Sequence, residues 1–412
     1  MNGAVPAPVL RPTGPFRKWL GQRVMALIPF GFAVLRRFRP IFRKGTTYVV
    51  TLHDDVREVF GNDPAFGVPY WDKLKVITGS EPFFLGMGNT PAYRAGLGSM
   101  LRVVRPDDLP GLGERAESLA AEIVSASGGE VEVVQLIRDV TFRMLGDYLG
   151  VPDPPGASLQ VWATRLFEFQ FADPGNDEAL RAEVDVIAPA LHAHIDREIA
   201  RRKSAPEGKD DVLARCLALQ AAGEPGFTDI EIRTALVCMI VGGPPQPPMV
   251  VPQALEQLLR RPDALRAAQT AARTLDDALL HDIVLEAMRF DPLAPGLPRK
   301  VLKDTVVARG TRRERTVPKD ATILVAFASA MMDARRLPDP KRFDPKRRPH
   351  EYIHFGHGLH QCFGRHINHA ALHRMLGPLL RRPGLARAPG KRGRLVKNGP
   401  FAESLWVRYG TG

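Results

Sequence analysis

The feature that most constrains the fold is the run H-F-G-H-G-L-H-Q-C-F-G at residues 354–364. It holds Cys362, one of three cysteines in the chain, between closely spaced glycines. Gly356, Gly358 and Gly364 are expected to take positive φ values, which lets a backbone approach a bulky group closely. Backbone amides and the start of a following helix favour a thiolate over a thiol. The run therefore predicts a fold built around a loop that offers one soft, anionic ligand to a metal.

From Phe355 onward, this run resembles the haem-binding loop of the cytochrome P450 family, F-x-x-G-x-[RH]-x-C-x-G, at every defined position. That family uses the cysteine thiolate as the proximal ligand of the haem iron. The resemblance implies haem b as the cofactor, Cys362 as its iron ligand and His360 as a contact to a haem carboxylate. It further implies that Phe355 packs against the porphyrin, with Gly356 and Gly364 in the cofactor cradle.

Three further motifs extend the resemblance along the chain. Glu286 and Arg289 lie one helical turn apart in E-A-M-R, share a helix face and can form a buried bidentate pair. They match the family's E-x-x-R, and P-K-R-F at residues 340–343 matches its P-x-R-F. The resemblance implies that Arg342 joins Glu286 and Arg289 in a network that braces the haem side. It also places Arg299, in L-P-R-K, where the family binds a haem carboxylate.

Helical periodicity dominates the rest of the chain, including an apolar helix predicted over residues 367–380, after the cysteine. Short β-branched runs occur within residues 45–52 and 297–327. The sequence thus predicts a mainly α protein with small peripheral β-sheets, and the resemblance implies a P450-like triangular prism that encloses haem. We predict two segments, a basic N-terminal arm over residues 1–44 and one haem domain over residues 45–412.

The sequence departs from the family in the long helix expected over the distal face of the haem. In the family that helix carries [AG]-G-x-[DE]-T, whereas residues 242–252 here read G-G-P-P-Q-P-P-M-V-V-P. Pro245 and Gln246 stand at the acid and Thr positions, and neither relays protons as those groups do. The prolines are expected to break the helix. Either the distal pocket is rebuilt, with Gly242, Gly243 and Gln246 as its catalytic face, or the alignment is shifted and the pocket is ordinary.

A second departure lies in residues 89–97, N-T-P-A-Y-R-A-G-L, where relatives often carry a His and an Arg that hold haem carboxylates. Tyr93 stands at the His position and could still donate a hydrogen bond to the cofactor. Arg94 is the candidate to replace the missing Arg.

Three histidines share one face of the helix predicted after the cysteine: His366, His369 and His373. Histidines at this spacing can bind a metal. They can also pack under the haem loop or face solvent, since no nearby cysteine or carboxylate completes a ligand set.

The charge of the chain indicates an anionic partner, because the net charge is +12 and the sequence pI is about 9.9. No zinc-finger spacing, recognition-helix pattern or aromatic-interleaved basic stripe is present, so we expect no nucleic-acid partner. An acidic, ferredoxin-type electron donor on a separate chain fits this charge. Three scattered cysteines fit a reducing cytoplasm.

An apolar run at residues 24–35 is flanked by arginines and is too short to span a bilayer. Two interpretations stay open for it. The N-terminal arm either contacts a membrane surface through this run or packs on the body of the protein.

The resemblance implies an oxidoreductase that oxidises a fairly apolar small molecule, with monooxygenation as the default reaction. The missing acid and alcohol keep three alternatives open: a peroxide-using peroxygenase, a non-redox haem-thiolate isomerase or dehydratase, and a non-catalytic haem- or ligand-binding protein. The residues that the resemblance places near the substrate are Phe83, Phe84, Phe167, Phe169, Leu293, Leu297 and Phe401.

Overall fold

Helices form most of the computed structural model, which describes residues 8–410. They enclose one large apolar core, and a smaller core lies beneath a sheet. The helices are α1 (Pro15–Phe38), α2 (His53–Gly61), α3 (Trp71–Thr78), α4 (Pro91–Val103), α5 (Leu109–Ala126), α6 (Val133–Leu149), α7 (Leu159–Phe167), α8 (Glu178–Ser204), α9 (Val212–Ala221), α10 (Asp229–Gly242), α11 (Pro247–Leu259), α12 (Pro262–Thr274), α13 (Asp277–Phe290), α14 (Phe327–Ala330) and α15 (Arg365–Arg381).

Polar caps explain where several of these helices begin. The side chains of Asp177, Asp211 and Asp276 accept backbone amides at the starts of α8, α9 and α13. Thr228 and Glu231 form a capping box at the start of α10, each side chain accepting the other residue's backbone amide. Such caps satisfy amides that have no partner inside the helix. The apolar positions that follow them are then free to face the core.

The strands are short and form four small sheets. The largest sheet has the order β1-β2-β8-β5-β3, in which β2 and β8 are parallel and the other neighbours are antiparallel. The prediction of a mainly α protein with small sheets is confirmed. The strands are β1 (Ile41–Lys44), β2 (Thr47–Val50), β3 (Phe66–Gly67), β4 (Glu130–Glu132), β5 (Leu297–Val301), β6 (Thr305–Val307), β7 (Arg315–Val317), β8 (Thr322–Val325), β9 (Ala386–Arg387), β10 (Val396–Asn398), β11 (Phe401–Ser404) and β12 (Trp406–Arg408).

The segment boundary predicted at residue 44 falls inside a β-hairpin. Strand β1 pairs along its whole length with β2, from Ile41 opposite Val50 to Lys44 opposite Thr47. Gly45, with φ of 60°, makes the turn between the two strands. Residues 41–44 therefore belong to the sheet of the main body, which begins directly after α1.

The helix after the cysteine, α15, is held by its packing on α5. Buried Leu372, Leu376 and Leu379 recur at helical spacing on α15 and point into the large core. On the facing helix, a Cβ at Gly113 would lie 2.8 Å from the backbone oxygen of Ala370. The two helices can approach this closely only because position 113 has no side chain.

This packing predicts the effect of adding one methyl group at Gly113. The change Gly113→Ala should lower the free energy of unfolding by about 1–3 kcal/mol, because the new Cβ meets backbone that cannot rotate away. Gly111→Ala in the same helix is the matched control, since a Cβ there has nothing within 4 Å. It should be neutral or stabilise by up to about 1 kcal/mol through helix propensity. Urea unfolding of the two variants measures this; equal effects would contradict the close helix contact.

Candidate active site

Cys362 lies in a tight loop that runs directly into α15. Its backbone amide donates a hydrogen bond to the carbonyl oxygen of Phe355 at 2.9 Å, which closes the loop. Gly356 and Gly358 have φ of 72° and 74°, as the sequence predicts. The same prediction is wrong for Gly364, the N-cap of α15, whose φ is −78°. A Cβ at that position would lie 4.0 Å from the Cys362 sulfur, an ordinary contact distance.

The electrostatics of Cys362 differ from the expectation that local amides alone favour a thiolate. Burial raises the pKa of the Cys362 thiol, and this outweighs the opposing effects of the Gly364 amide and the Arg365 charge. In the protein by itself the thiol form is therefore favoured. A bound metal cation supplies the charge that stabilises a coordinated thiolate.

Next to the loop lie two cationic or basic groups without an anionic partner. The Arg299 side chain is buried with its guanidinium over the Phe60 ring, 4.8 Å from the centroid. Its hydrogen bond goes to the carbonyl of Pro298 at 3.0 Å, and no carboxylate pairs with it within residues 8–410. The buried Nδ1 of His360 also has no hydrogen-bond partner in this part of the chain. Burial, helped by the Arg299 charge, lowers the pKa of His360 to about 4.

Burying unpaired groups of this kind raises the free energy of the folded protein. Their arrangement therefore points to an anionic ligand that contacts both. A buried charge without a partner is rare in proteins, as is a buried nitrogen without a hydrogen bond. A carboxylate placed between the two side chains would pair with Arg299 and favour the protonated His360 ring, whose Nδ1–H would then donate to it. This pair is therefore a candidate anion site beside the cysteine loop.

The structure does not support the roles predicted for Tyr93 and Arg94. The Tyr93 hydroxyl donates its single hydrogen to the carbonyl of Leu359 at 2.8 Å, so that hydrogen is not available to a haem carboxylate. Arg94 is exposed and donates to the side-chain oxygen of Asn89 at 2.7 Å. Tyr93 instead fixes the cysteine loop from the side, with its ring edge-on to His360 at 6.5 Å.

Behind the loop, Glu286 and Arg289 form the pair that their spacing predicts. Both side chains are completely buried, and two Arg289 nitrogens donate to the two Glu286 oxygens at 2.8 and 2.6 Å. Arg289 also donates to the backbone carbonyls of Met331, Pro340 and Arg342. The pair thus connects α13 to the irregular segment that precedes the cysteine loop.

The prediction that the Arg342 side chain joins this pair is wrong. The Arg342 side chain is 67% exposed and pairs with Asp344 at 2.7 Å. The third guanidinium belongs to Arg347, which is 4% exposed and lies 3.4 Å from the Glu286 carboxylate. Arg347 also donates to three backbone carbonyls of residues 338–342. The sequence contains the tripeptide Pro-Lys-Arg twice, at 340–342 and 345–347, and the second copy supplies the buried residue.

Two residues that the sequence analysis missed tie the cysteine loop to α13. The Tyr352 hydroxyl donates to Glu286 at 2.8 Å. A ring nitrogen of His354 lies 3.0 Å from the carbonyl of Leu285. Burial is the largest cause that lowers the pKa of His354, to about 3, so this ring is neutral and donates that hydrogen bond near neutral pH. No sequence signal distinguishes either residue, because only the chain path brings it to α13.

The predicted break in the distal helix is present between α10 and α11. The Gln246 amide bonds to the carbonyl of Gly243 at 3.2 Å, so the Gly242 carbonyl loses its usual helical partner. The side-chain amide of Gln246 donates to that carbonyl instead. A Cβ at Gly243 would lie 2.8 Å from the Met239 oxygen, whereas a Cβ at Gly242 would meet nothing within 4 Å. Open space therefore borders the break at Gly242.

Except for Leu297, the predicted pocket residues lie in or pack on the large core, but their ring contacts fall into separate groups. Phe83 and Phe84 are in contact with each other, and the Phe84 ring lies 5.6 Å from the Phe363 ring of the cysteine loop. The Phe167 ring is edge-on to Phe401 at 6.1 Å, which forms a second group. The remaining three have other neighbours: Phe169 is covered by Lys73 and Arg181, Leu293 packs on the large core, and Leu297 packs on the core beneath the sheet.

The histidines after the cysteine do not form a metal site. His369 lies 2.9 Å from His281, and His373 lies 2.9 Å from the Asp277 carboxylate. No group of three or more His, Cys, Asp or Glu side chains suited to a metal ion occurs among the described residues. The Phe355 ring packs edge-on to His369 at 4.9 Å. His369 therefore packs beneath the loop, His373 is buried against Asp277, and His366 is exposed.

A family model described as Cytochrome P450 matches residues 165–400 of the chain. The chain belongs to the cytochrome P450 family. Members of this family hold haem through a cysteine thiolate, act in general on small molecules and use redox partners. The resemblance drawn from the sequence motifs is thereby confirmed.

Individual relatives agree with this assignment. The chain is 25% identical over 338 residues to the cyclomarin C epoxidase CymV of Salinispora arenicola, covering 80% of this chain and 82% of that protein. It is 24% identical over 337 residues to the erythromycin C-12 hydroxylase of Saccharopolyspora erythraea, with 80% of each chain covered. The crystal structure of CalO2 matches with a TM-score of 0.78 at 23% identity, over 98% of this chain and 100% of that one. The fold is the P450 fold, and the enzyme is a P450 oxidoreductase of the monooxygenase type.

The two copies of Pro-Lys-Arg allow a matched test of the buried network. Arg347→Ala should lower the free energy of unfolding by at least about 2 kcal/mol, because it removes a buried partner of Glu286 and three hydrogen bonds to backbone. Arg342→Ala should change it by less than about 1 kcal/mol, because the lost ion pair is exposed. Urea unfolding and haem retention on a desalting column measure both variants. Equal or reversed effects would contradict the assignment of Arg347.

Proposed function

We propose that this P450 holds haem b through Cys362 and uses it to oxidise a fairly apolar small molecule. The observation that carries the proposal is the buried, carboxylate-free Arg299 near His360, whose Nδ1 has no hydrogen-bond partner in the described part of the chain, next to the glycine loop of Cys362. Haem brings one iron for the thiolate and two carboxylates for the two basic groups. The residues present therefore fit this cofactor.

Each residue around the loop has a distinct task in this proposal. The thiolate-bound haem supplies the oxygen-activating chemistry. Arg299 and His360 hold its carboxylates, while Phe355, Gly356 and Gly364 shape the cradle. Tyr93 acts indirectly, because its hydrogen bond to Leu359 fixes the backbone next to His360.

The network behind the loop keeps Cys362 in place. Glu286, Arg289 and Arg347 are buried, and they connect α13 to the segment before the loop through hydrogen bonds. Buried, fully bonded networks are rigid, since any displacement leaves a charge without a partner. Cys362 can therefore be presented in one position without help from the cofactor.

We propose that residues 242–252 form the distal side without the acid and alcohol that usually deliver protons. Pro245 has no ionisable side chain, and the amide of Gln246 is occupied by the Gly242 carbonyl. We propose that protons enter through the open space beside Gly242, carried by water or by the substrate itself. The same observation favours a second candidate, in which ready-made peroxide is the oxidant and no proton relay for dioxygen is needed.

A ferredoxin-type electron donor fits the proximal surface. A groove of 240 Å³ borders the cysteine loop and is lined by Arg57, Arg365, His357 and Gln361, among others. Basic residues here suit an acidic donor and place it near the sulfur. We propose a cytoplasmic location, where the donor is found and the free cysteines stay reduced.

The relatives named above support the substrate class. One is named for epoxidising cyclomarin C and the other for hydroxylating erythromycin at C-12. The buried aromatic groups around Phe84 and Phe167 suit an apolar molecule. We propose such a molecule as the substrate of this chain.

Isotope labelling tests the reaction and the oxidant together. Haem-loaded protein would receive a panel of apolar alkenes and macrocycles, either with labelled dioxygen, reductant and a surrogate ferredoxin system, or with labelled peroxide. We expect product carrying oxygen from at least one source, identified by mass spectrometry. Gln246→Thr should raise the share of dioxygen-driven turnover, because it restores a hydroxyl; Gln246→Ala is its control. Product without label from either source would contradict oxidation as the reaction.

A further inference from the structure

Helix α1 exposes an apolar stripe that is unusual for this molecule. Eight of the 14 exposed large hydrophobic side chains in the described part of the chain lie on this one helix. Their exposed fractions run from 41% to 73%. Contiguous apolar surfaces of this kind mark interaction sites. The stripe consists of Phe16, Trp19, Leu20, Val24, Leu27, Phe30, Val34 and Phe38.

The spacing of these residues places them on one side of the helix, opposite the side that packs on the protein. They recur every three or four positions, which is the period of one helix face. The other face carries Phe32, which is 9% exposed, and makes polar contacts to the body. Gln22 donates to the carbonyl of Lys397 at 3.0 Å, and Arg36 to the hydroxyl of Ser329 at 2.8 Å. The helix is thus attached by one face and presents the other outward.

The charge of the N-terminal segment decides what kind of partner fits. Residues 1–53 contain nine Lys and Arg and no Asp or Glu, so they account for nine of the twelve net positive charges of the chain. Arg17, Arg23 and Arg37 are exposed on α1 beside the stripe. A second copy of this chain would bring two such basic surfaces together, which like-charge repulsion opposes. The partner must be apolar in its interior and negative at its surface.

We propose that α1 lies in the interface of an anionic phospholipid bilayer, with this stripe inserted and its arginines among the lipid headgroups. A helix with a large apolar face and flanking basic residues binds membranes in this way. It does not need to span the bilayer, because its other face is bonded to the protein. The one described stretch long and apolar enough to span, α10 followed by α11 (Asp229–Leu259), has 67% of its most apolar 18-residue window buried in the body and forms part of the core.

Vesicle flotation of the haem-loaded, full-length protein tests the proposal. Vesicles contain phosphatidylglycerol and phosphatidylcholine in equal amounts, or phosphatidylcholine alone. We expect binding to the anionic vesicles that weakens in high salt, and much weaker binding to the neutral ones. The double variant Leu27→Glu with Phe30→Glu should bind at least about tenfold more weakly, because two inserted apolar side chains are lost.

A matched control separates the stripe from general effects of charge and hydrophobicity. Val186→Glu with Leu275→Glu removes two side chains that are 71% and 72% exposed elsewhere and changes the net charge equally. It should bind like the wild type. Absence of wild-type binding to anionic vesicles, or equal losses in both double variants, would overturn the proposal. So would a dimer in sedimentation velocity that the α1 variant abolishes while vesicle binding is absent.

Discussion

The buried carboxylate of Glu286 is the interaction on which the rest of the site depends. It receives two hydrogen bonds from Arg289, one from the Tyr352 hydroxyl and one from the backbone amide of Asp344, and it lies 3.4 Å from Arg347. A completely buried charge is tolerated only when donors surround it in this way. Because those donors come from α13 and from the segment before the cysteine loop, satisfying the carboxylate also fixes where that loop begins.

The two sides of the haem site differ in how many hydrogen bonds and close contacts hold them. On the proximal side, the loop is held by the hydrogen bond of Tyr352 to Glu286, by that of Tyr93 to Leu359, and by the close packing of α15 on α5. The distal side has lost a helical turn, and one side chain, Gln246, replaces the missing backbone bond. The loop of Cys362 is therefore held firmly, whereas open space borders the break between α10 and α11.

The sequence predicted the features that depend on neighbouring residues. It did not predict the features that depend on how distant parts of the chain pack together. The adjacent prolines Pro244 and Pro245 interrupt the helix locally, and Glu286 and Arg289 share a helix face because they are three residues apart, so both predictions match the structure. Which of the two Pro-Lys-Arg copies is buried depends on the path of the chain. The motif therefore indicates Arg342, although Arg347 is the buried residue. The pKa of Cys362 also depends on the complete fold, since burial raises it despite the nearby Gly364 amide and Arg365 charge.

The most direct test of the account is the spectrum of the reduced, haem-loaded protein under carbon monoxide. A thiolate ligand gives a characteristic long-wavelength Soret band that a neutral ligand does not. We predict this band for the wild type and for Cys238→Ala, and its loss in Cys362→Ala. The same band in Cys362→Ala would contradict the assignment of Cys362 as the iron ligand, and with it the central claim that the loop exists to present this sulfur.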